Sequence, residues 1–182
     1  MKILVITSSP RIGSNSDKLA EAFIQGAESA GNQVEKLELR PLQIEPCIAC
    51  DKCWSTGKPC ILNDDMDRVY EAIEANEAVV FAMPLYYYNI PAKLKAVIDR
   101  FYAIFMKDMK GYPKRQAALL IAAGDTTPDT FDSVDASWRK ILSHLGWPLL
   151  GKVYAGNVND LGAIDKTDYL DAAKKLGASI NA

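Results

Sequence analysis

The sequence predicts an α/β domain in which a doubly wound parallel sheet carries helices on both faces, a three-layer αβα arrangement. Five short apolar runs alternate with five segments of helical periodicity along the 182 residues. Two of these runs, "AVVFAM" and "QAALLIAAG", are apolar almost throughout, which is typical of strands buried on both faces of a parallel sheet. With five strands, the natural order of such a sheet is 2-1-3-4-5.

The first half of the chain supplies two strands and two helices. "KILVIT" is a β-branched strand, and the helix after it places Leu19, Phe23 and Ala27 at four-residue spacing before Gly31 ends it. "QVEKLELR" alternates imperfectly and is predicted as a strand near a sheet edge. After a long loop, Asp64 is expected to cap the second helix.

The second half repeats the strand–helix rhythm three times. After "AVVFAM", Pro91 is expected to open a helix whose inward face runs from Leu94 to Tyr102. We expect Asp99 and Arg100 to form a polar pair at the end of that helix. "QAALLIAAG" precedes a helix ended by glycine, and "PLLGKVYAGNV" and "DKTDYLDAAKKLG" supply the fifth strand and the last helix.

The composition is that of a soluble globular protein and excludes several other classes. Apolar residues make up 49% and charged residues 24%, and the net charge of −2 offers no basic footprint for nucleic acid or an anionic membrane. No apolar run approaches the ~18 residues of a membrane span, and the first one is too short for a signal peptide. We therefore expect a single cytoplasmic domain over residues 1–182, with a cysteine-containing loop at 41–63, the cysteine loop.

The loop after the first strand, "SSPRIGSNS", is the first candidate site. The ligand crevice of a doubly wound sheet lies beyond the carboxyl ends of strands 1 and 3, and this loop enters a helix N-terminus, which favours an anion. It lacks the glycine patterns of P-loops and dinucleotide sites, and its hydroxyl groups suit a single terminal phosphate such as that of FMN. An ordinary surface loop with a helix cap is the alternative. The candidate ligands are Ser9, Arg11, Ser14, Asn15 and Ser16.

Two further loops end at the same edge of the predicted sheet. "PLYYYNIP" places three tyrosines and an asparagine between two prolines that stiffen the backbone. A flavin ring needs a flat apolar wall with polar groups at one edge, whereas packing in the core or an interface is the alternative for the tyrosines. The loop "AAGDTTPDT" follows the fourth strand and adds Gly124 as a candidate.

All four cysteines lie in the cysteine loop with the spacing C-x2-C-x2-C-x6-C. The first three have the tight spacing of bacterial ferredoxin ligands, and Gly57 and Pro59 provide a turn before the fourth. The run is compact for a zinc site, a redox dithiol would leave two cysteines unexplained, and disulfides do not suit a cytoplasmic chain. A cluster, a zinc-stabilised binding module and bare thiols stay open on the residues alone. The candidate metal ligands are Cys47, Cys50, Cys53 and Cys60.

Three stretches in order carry a resemblance to a known family. "SSPRIGSNSDKL", "CIACDKCWSTGKPCILNDDM" and "MPLYYYNIPAKLKAVIDRF" resemble the NAD(P)H-dependent FMN reductase family of flavodoxin-like proteins, and within it the iron–sulfur flavoproteins. The likeness runs from residue 1 to roughly 125. It implies that the first loop holds the FMN phosphate through the five residues named above. It also implies that the flavin ring is lined by Pro84, Leu85, Tyr86, Tyr87 and Asn89.

The resemblance implies an FMN-dependent oxidoreductase that moves electrons between NAD(P)H, or a reduced carrier such as ferredoxin, and a flavin or quinone acceptor. It also implies a [4Fe–4S] cluster on the four cysteines and a homodimer or homotetramer, for which Trp54, Tyr87 and Tyr88 are the candidate interface aromatics. No catalytic side chain is expected, because the flavin performs the redox chemistry. A flavodoxin-like electron carrier without enzymatic activity is the alternative, although flavodoxins are typically more acidic and lack such cysteines.

Overall fold

A five-stranded parallel sheet in the order β2-β1-β3-β4-β5 lies between two helical layers in the computed structural model, which describes residues 1–108 and 114–180. This confirms the predicted fold. The strands are β1 (Lys2–Thr7), β2 (Gln33–Glu38), β3 (Ala78–Pro84), β4 (Gln116–Ala122) and β5 (Leu149–Ala155). The helices are α1 (Asn15–Ser29), α2 (Met66–Ala75), α3 (Ala92–Asp99), α4 (Tyr102–Asp108), α5 (Asp132–Leu145) and α6 (Tyr169–Ala178), with a short 3-10 helix at Ala163–Lys166.

The sheet separates two hydrophobic cores. Residues of β3 alternate between them, because successive side chains of a strand point to opposite faces: Phe81 enters the core shared with α2 to α5, and Val80 enters the core shared with α1 and α6. In the first core the rings of Phe81 and Trp138 lie 4.5 Å apart between centroids. Within the described ranges, no helix is both long and apolar enough to cross a membrane.

The helix predicted after Pro91 is broken into two. α3 ends at Asp99, and α4 begins at Tyr102, whose side chain is 45% exposed and does not face inward as predicted. The side chain of Arg100 turns into the protein at this break and donates to Asp64. Asp99 pairs with Lys95 one helical turn earlier, so the predicted Asp99–Arg100 pair is wrong.

Helices α1 and α6 cross at unusually close range. A β-carbon at Gly26 would lie 1.9 Å from the carbonyl oxygen of Lys174, and one at Gly177 would lie 2.1 Å from the carbonyl oxygen of Phe23. Both distances are far below van der Waals contact, so only glycine allows the two backbones to approach in this way. Because α1 begins beside the loop after β1, this crossing also holds that helix in place under the candidate site.

Candidate functional site

The loop after β1 enters α1 through a well-formed helix cap. The Ser14 hydroxyl oxygen accepts the backbone N–H of Asp17 at 3.1 Å, and the Asp17 carboxylate accepts the backbone N–H of Ser14 at 3.2 Å. This reciprocal pair is a capping box, which fixes the direction in which the chain enters the helix. The Ser14 hydroxyl also lies 3.1 Å from the Ser16 hydroxyl, so the loop gathers polar groups at a helix N-terminus.

A cavity of about 210 Å³ opens at the carboxyl edge of the sheet beside this cap. It joins the loops after β1, β3 and β4, as the topology of the sheet predicts. Pockets that enclose a whole ligand measure ~300–1,000 Å³, so the enclosed part suits a phosphate and its chain better than a complete flavin. The predicted residues that line it are Ser9, Arg11, Ser14, Asn15, Ser16, Pro84, Leu85, Tyr86 and Gly124.

Sequence reasoning missed a fourth loop of the cavity wall. Val158, Asn159 and Leu161 follow β5, and Ala122 ends β4. The same topological rule reaches the loop after β5, because all five parallel strands end at one edge of the sheet. The polar "GNVND" stretch is the sequence signal for this loop, and it lies beyond residue 125, where the resemblance ends.

The side chain of Asn15 is occupied by the protein itself. Its Nδ2 donates to the carbonyl oxygens of Val158 at 2.7 Å and Asp160 at 2.8 Å. Its Oδ1 accepts the backbone N–H groups of Gly162 at 3.1 Å and Ile164 at 3.4 Å. These four bonds use the amide fully. Asn15 therefore holds the loop after β5 against α1, and only its backbone N–H is left for an anion.

Tyr86 to Asn89 form a tight turn, the aromatic turn, at the mouth of the cavity. Tyr86 and Asn89 exchange backbone hydrogen bonds of 3.1 and 3.0 Å, and the two residues between them are left-handed, with φ of 47° at Tyr87 and 60° at Tyr88. Such a turn favours Asn-Gly, because bulky residues are strained at positive φ. Tyr87 is 100% exposed, and neither it nor Asn89 lines the cavity, although both are predicted at the flavin ring.

Relieving this strain should stabilise the protein. The double variant Tyr87→Asn/Tyr88→Gly should raise the free energy of unfolding by about 2 kcal/mol, because each strained position costs roughly 1–3 kcal/mol and Tyr87 loses no buried surface. Urea unfolding followed by circular dichroism measures the gain. Tyr87→Phe/Tyr88→Phe keeps the backbone strain and should leave stability unchanged. Equal stability of the Asn-Gly variant and the wild type would contradict this expectation.

Two carboxylates close the base of the cysteine loop. The Asp64 Oδ2 accepts the backbone N–H of Glu45 at 2.8 Å and Nη1 of Arg100 at 2.6 Å, and the Asp65 Oδ2 accepts the backbone N–H of Gln43 at 2.7 Å. Burial raises the pKa of Asp64, but the bonds from Arg100 and Glu45 outweigh it and leave that pKa below its usual value. The residue at the N-cap position of α2 is Asp65, but its side chain makes no cap bond. The Asp64 Oδ1 accepts the backbone N–H of Met66 at 3.2 Å, so Asp64 caps the helix as predicted, from one residue before the N-cap position.

Side chains farther along the loop attach it to the helices around it. The indole Nε1 of Trp54 donates to the carbonyl oxygen of Ala103 at 2.8 Å, and the Lys107 ammonium lies 4.5 Å from the centre of the Trp54 ring. Lys58 forms an ion pair of 2.9 Å with Asp67 in the first turn of α2. The loop is thus fixed at its base and at its middle by the polypeptide alone.

The four thiols of the loop surround one small cavity of about 40 Å³, the cysteine cavity. Burial raises the pKa of Cys53, and the proximity of the other three thiols raises it further. No three His, Cys, Asp or Glu side chains in the described part of the chain are arranged as a metal site. Three residues that lie between or directly after the cysteines have positive φ, so the backbone of the loop turns sharply at each of them. These residues are Ala49, Asp51 and Trp54.

Comparison with known proteins identifies relatives along nearly the whole chain. Over 181 residues, 99% of this chain and 79% of the relative, the sequence is 29% identical to an iron-sulfur flavoprotein of Archaeoglobus fulgidus. An iron-sulfur flavoprotein of Methanosarcina thermophila is 35% identical over 121 residues, which are 66% of this chain and 63% of the relative. More than a third of that second relative therefore lies outside the match.

A solved structure supports the fold, and a family model supplies the assignment. The NAD(P)H:quinone oxidoreductase from Methanothermobacter marburgensis superimposes with a TM-score of 0.78 at 23% identity, covering 98% of this chain and 94% of that one. The family model described as NADPH-dependent FMN reductase matches residues 1–160, well beyond the region of the resemblance found in the sequence. The chain thus belongs to the NADPH-dependent FMN reductase family, a family of oxidoreductases.

Proposed function

We propose that this protein uses FMN to pass electrons from NAD(P)H, or from a reduced carrier such as ferredoxin, to a flavin or quinone acceptor. The observation that carries the proposal is the cavity in which a hydroxyl-rich helix N-terminus meets the aromatic turn and Gly124. Relatives named as iron-sulfur flavoproteins and an FMN-dependent NADH:quinone oxidoreductase agree with it. Membership of an enzyme family argues against the alternative of a carrier without enzymatic activity.

The residues at the helix N-terminus fit the phosphate of FMN. The hydroxyl groups of Ser9, Ser14 and Ser16 and the first N–H groups of α1 supply donors, and Arg11 supplies a positive charge. The Pro84–Tyr86 segment would form the wall for the ring, outside the enclosed part of the cavity. Bound FMN would supply the redox chemistry, taking up an electron pair from the nicotinamide and releasing electrons to the acceptor. The chain's part is to bind and orient the flavin.

Titration with FMN and with riboflavin tests this assignment. Because riboflavin lacks the phosphate, we expect it to bind at least about 100-fold more weakly, the loss of two or three charge-assisted hydrogen bonds. The FMN-loaded protein should then oxidise NADH or NADPH in the presence of a quinone or free flavin. Equal affinity for the two flavins would contradict the phosphate site. Flavin binding without nicotinamide oxidation would favour the carrier.

The four cysteines fit a [4Fe–4S] cluster as a donor set. Four thiolates are the usual ligands of such a cluster, and here all four line one cavity. The cavity is smaller than a cubane cluster, so the loop would widen on binding, and the exposed position of Cys47 leaves room for this. The four thiols would give up their protons to the solvent on binding iron, because only the thiolate is a ligand. A cluster in this position would take single electrons while FMN exchanges pairs.

Anaerobic reconstitution with iron and sulfide tests the cluster. Wild type should take up roughly four irons and four sulfides per chain, whereas Cys53→Ala should take up clearly less. Ser55→Ala is the matched control, because Ser55 lies in the same loop and its hydroxyl donates only to the carbonyl oxygen of Lys52. FMN binding should survive in all three proteins. If wild type takes up no more iron than Cys53→Ala, the four cysteines are not a cluster site.

We also propose a homodimer or homotetramer with the candidate site near an interface. Large apolar side chains are exposed on four of the loops that follow the carboxyl ends of the strands. A second copy over this edge would cover both them and the open part of the cavity. Light scattering over a range of concentrations tests the assembly, and a monomer throughout would contradict it. The exposed side chains are Ile12, Ile48, Tyr86, Tyr87, Tyr88 and Leu161.

A further inference from the structure

Arg100, in the break between α3 and α4, is a buried cation with unused hydrogen-bond donors. Its side chain is only 1% exposed. Nη1 donates to the Asp64 carboxylate at 2.6 Å and to the carbonyl oxygen of Glu45 at 3.2 Å. Nε and Nη2 are buried and have no hydrogen-bond partner among the described residues. Buried donors of a charged group are rarely left unpaired, since each costs roughly 1–3 kcal/mol or more.

The same side chain forms part of the wall of the cysteine cavity. Arg100 lines it together with the four thiols and Tyr70, whose hydroxyl donates to the Arg100 carbonyl oxygen at 2.8 Å. Nη1 is already engaged by Asp64 and Glu45, so the donors left for a further acceptor are Nε and Nη2, which are buried and would be reached as the loop widens. The hydrogen-bond acceptors that the cysteines contribute to the wall of this cavity are their sulfur atoms.

The charge on Arg100 persists in this position. Burial disfavours it, but the bond to Asp64 and the proximity of Cys60 outweigh burial and raise the Arg100 pKa. Because the Asp64 carboxylate balances the charge, the pair as a whole is close to neutral. Any effect of Arg100 on its neighbours therefore acts mainly through the directed N–H groups of the guanidinium and over a short distance.

We infer that Arg100 donates N–H···S hydrogen bonds to the sulfurs of a cluster held by the four cysteines and thereby raises the reduction potential of that cluster. The inference rests on the proposed cluster. One-electron reduction adds a negative charge to the cluster without making or breaking a bond, and hydrogen bonds to its sulfurs stabilise the more negative state. Arg100 is thus a tuning residue, distinct from the ligands.

Two variants separate this role from a purely structural one. Arg100→Lys keeps the positive charge beside Asp64 but loses the planar set of donors. The double variant Asp64→Asn/Arg100→Gln removes both buried charges together, so neither is left uncompensated if the single change prevents folding. Lys58→Gln is the control, since it removes a positive charge from the same loop at an ion pair that is much less buried than Asp64–Arg100.

The measurement is a redox titration of the reconstituted, FMN-loaded protein, with the cluster followed by electron paramagnetic resonance. Both Arg100 variants should show at least a tenfold less favourable reduction of the cluster, which is a fall of about 59 mV in its midpoint potential. In the Arg100 variants, the reduction equilibrium of FMN, read from the visible spectrum, should change by less than twofold. The reduction equilibrium of the cluster in Lys58→Gln should also change by less than twofold. Unchanged cluster potentials in both variants would overturn the inference.

Iron and sulfide content separate the two possible failures. Wild type without a cluster would refute the proposed cluster itself. A wild type with roughly four irons, beside Arg100 variants that lose all iron, would instead overturn the tuning role, because Arg100 would then be needed to hold the cluster. Variants that keep their iron and show the lowered potential would support it.

Discussion

Replacing Asp64 with Asn should lower the free energy of unfolding by about 3–5 kcal/mol, because removal of one partner leaves the other charge buried and uncompensated. The Asp64 and Arg100 side chains are 8% and 1% exposed, so water cannot replace the lost carboxylate. The change also weakens the attachment of Glu45 at the base of the cysteine loop. Chemical denaturation measures the loss.

Asp65→Asn is the matched control for this prediction. Asp65 accepts an exposed bond from the Gln43 N–H and has no buried cation beside it, so its loss should cost about 1 kcal/mol or less. A similar loss of stability in the two variants would show that the buried Asp64–Arg100 pair contributes no more to the free energy of unfolding than the exposed hydrogen bond of Asp65.

The same pair gives stability a defined pH dependence. The pKa of Asp64 is lower in the folded protein than its ordinary value of 3.8. A group of this kind stabilises the fold fully above its unfolded pKa and loses that contribution as the pH falls through the folded pKa. The stability of wild type should therefore decline below about pH 4 more steeply than that of Asp64→Asn.

Replacing Gly177 with Ala should lower the free energy of unfolding by roughly 3 kcal/mol, at the upper end of the cost of overpacking a core. The new β-carbon would lie 2.1 Å from the Phe23 carbonyl oxygen, a backbone atom that moves only if α1 and α6 separate. The sign is informative, because Ala in a helix interior is ordinarily favoured over Gly by about 1 kcal/mol. Thermal and urea unfolding measure the change.

Ala172→Gly provides the comparison on the exposed side of the same helix. There the ordinary propensity applies, and the variant should lose only about 1 kcal/mol. If Gly177→Ala is as stable as wild type or more so, the close crossing of α1 and α6 is wrong. Gly26→Ala, with its β-carbon 1.9 Å from the Lys174 carbonyl oxygen, should repeat the result from the other helix.

The fold and the edge that carries the site follow from the sequence for simple physical reasons. β3 and β4 are apolar because helices cover both of their faces, and this uninterrupted burial is visible in the residues. Once the strands alternate with helices, parallel topology brings their carboxyl ends to one edge. Ser9, Tyr86 and Gly124, which are far apart in the chain, therefore line one cavity.

Partners across long stretches of chain could not be predicted in this way. Asn15 bonds to a loop more than 140 residues away, and nothing around it in the sequence signals that loop. The left-handed turn at Tyr87 and Tyr88 runs against the usual sequence preference, so pattern reasoning cannot reach it.

The Asp99–Arg100 error had a different origin. Adjacent residues of a helix point in different directions and rarely pair, whereas residues four apart lie side by side. The Lys95–Asp99 bond of 2.6 Å follows this rule and was available from the sequence. The true partner of Arg100 lies 36 residues earlier, beyond what helical spacing reveals.

The hydrogen bonds and the ion pair that hold the cysteine loop would affect how long the protein keeps its fold in air. Asp65, Trp54 and Lys58 hold the loop through bonds between parts of the polypeptide, none of which involves a thiol. Many small metal-binding domains unfold when their metal leaves, because the metal supplies their folding energy. Here, if the proposed cluster were lost to oxygen, these bonds would still hold the base and the middle of the loop in place, although the cysteine cavity would return to its smaller size. A chain that keeps its fold in this way could take up a new cluster without refolding, and its lifetime would then not be limited by that of the proposed cluster.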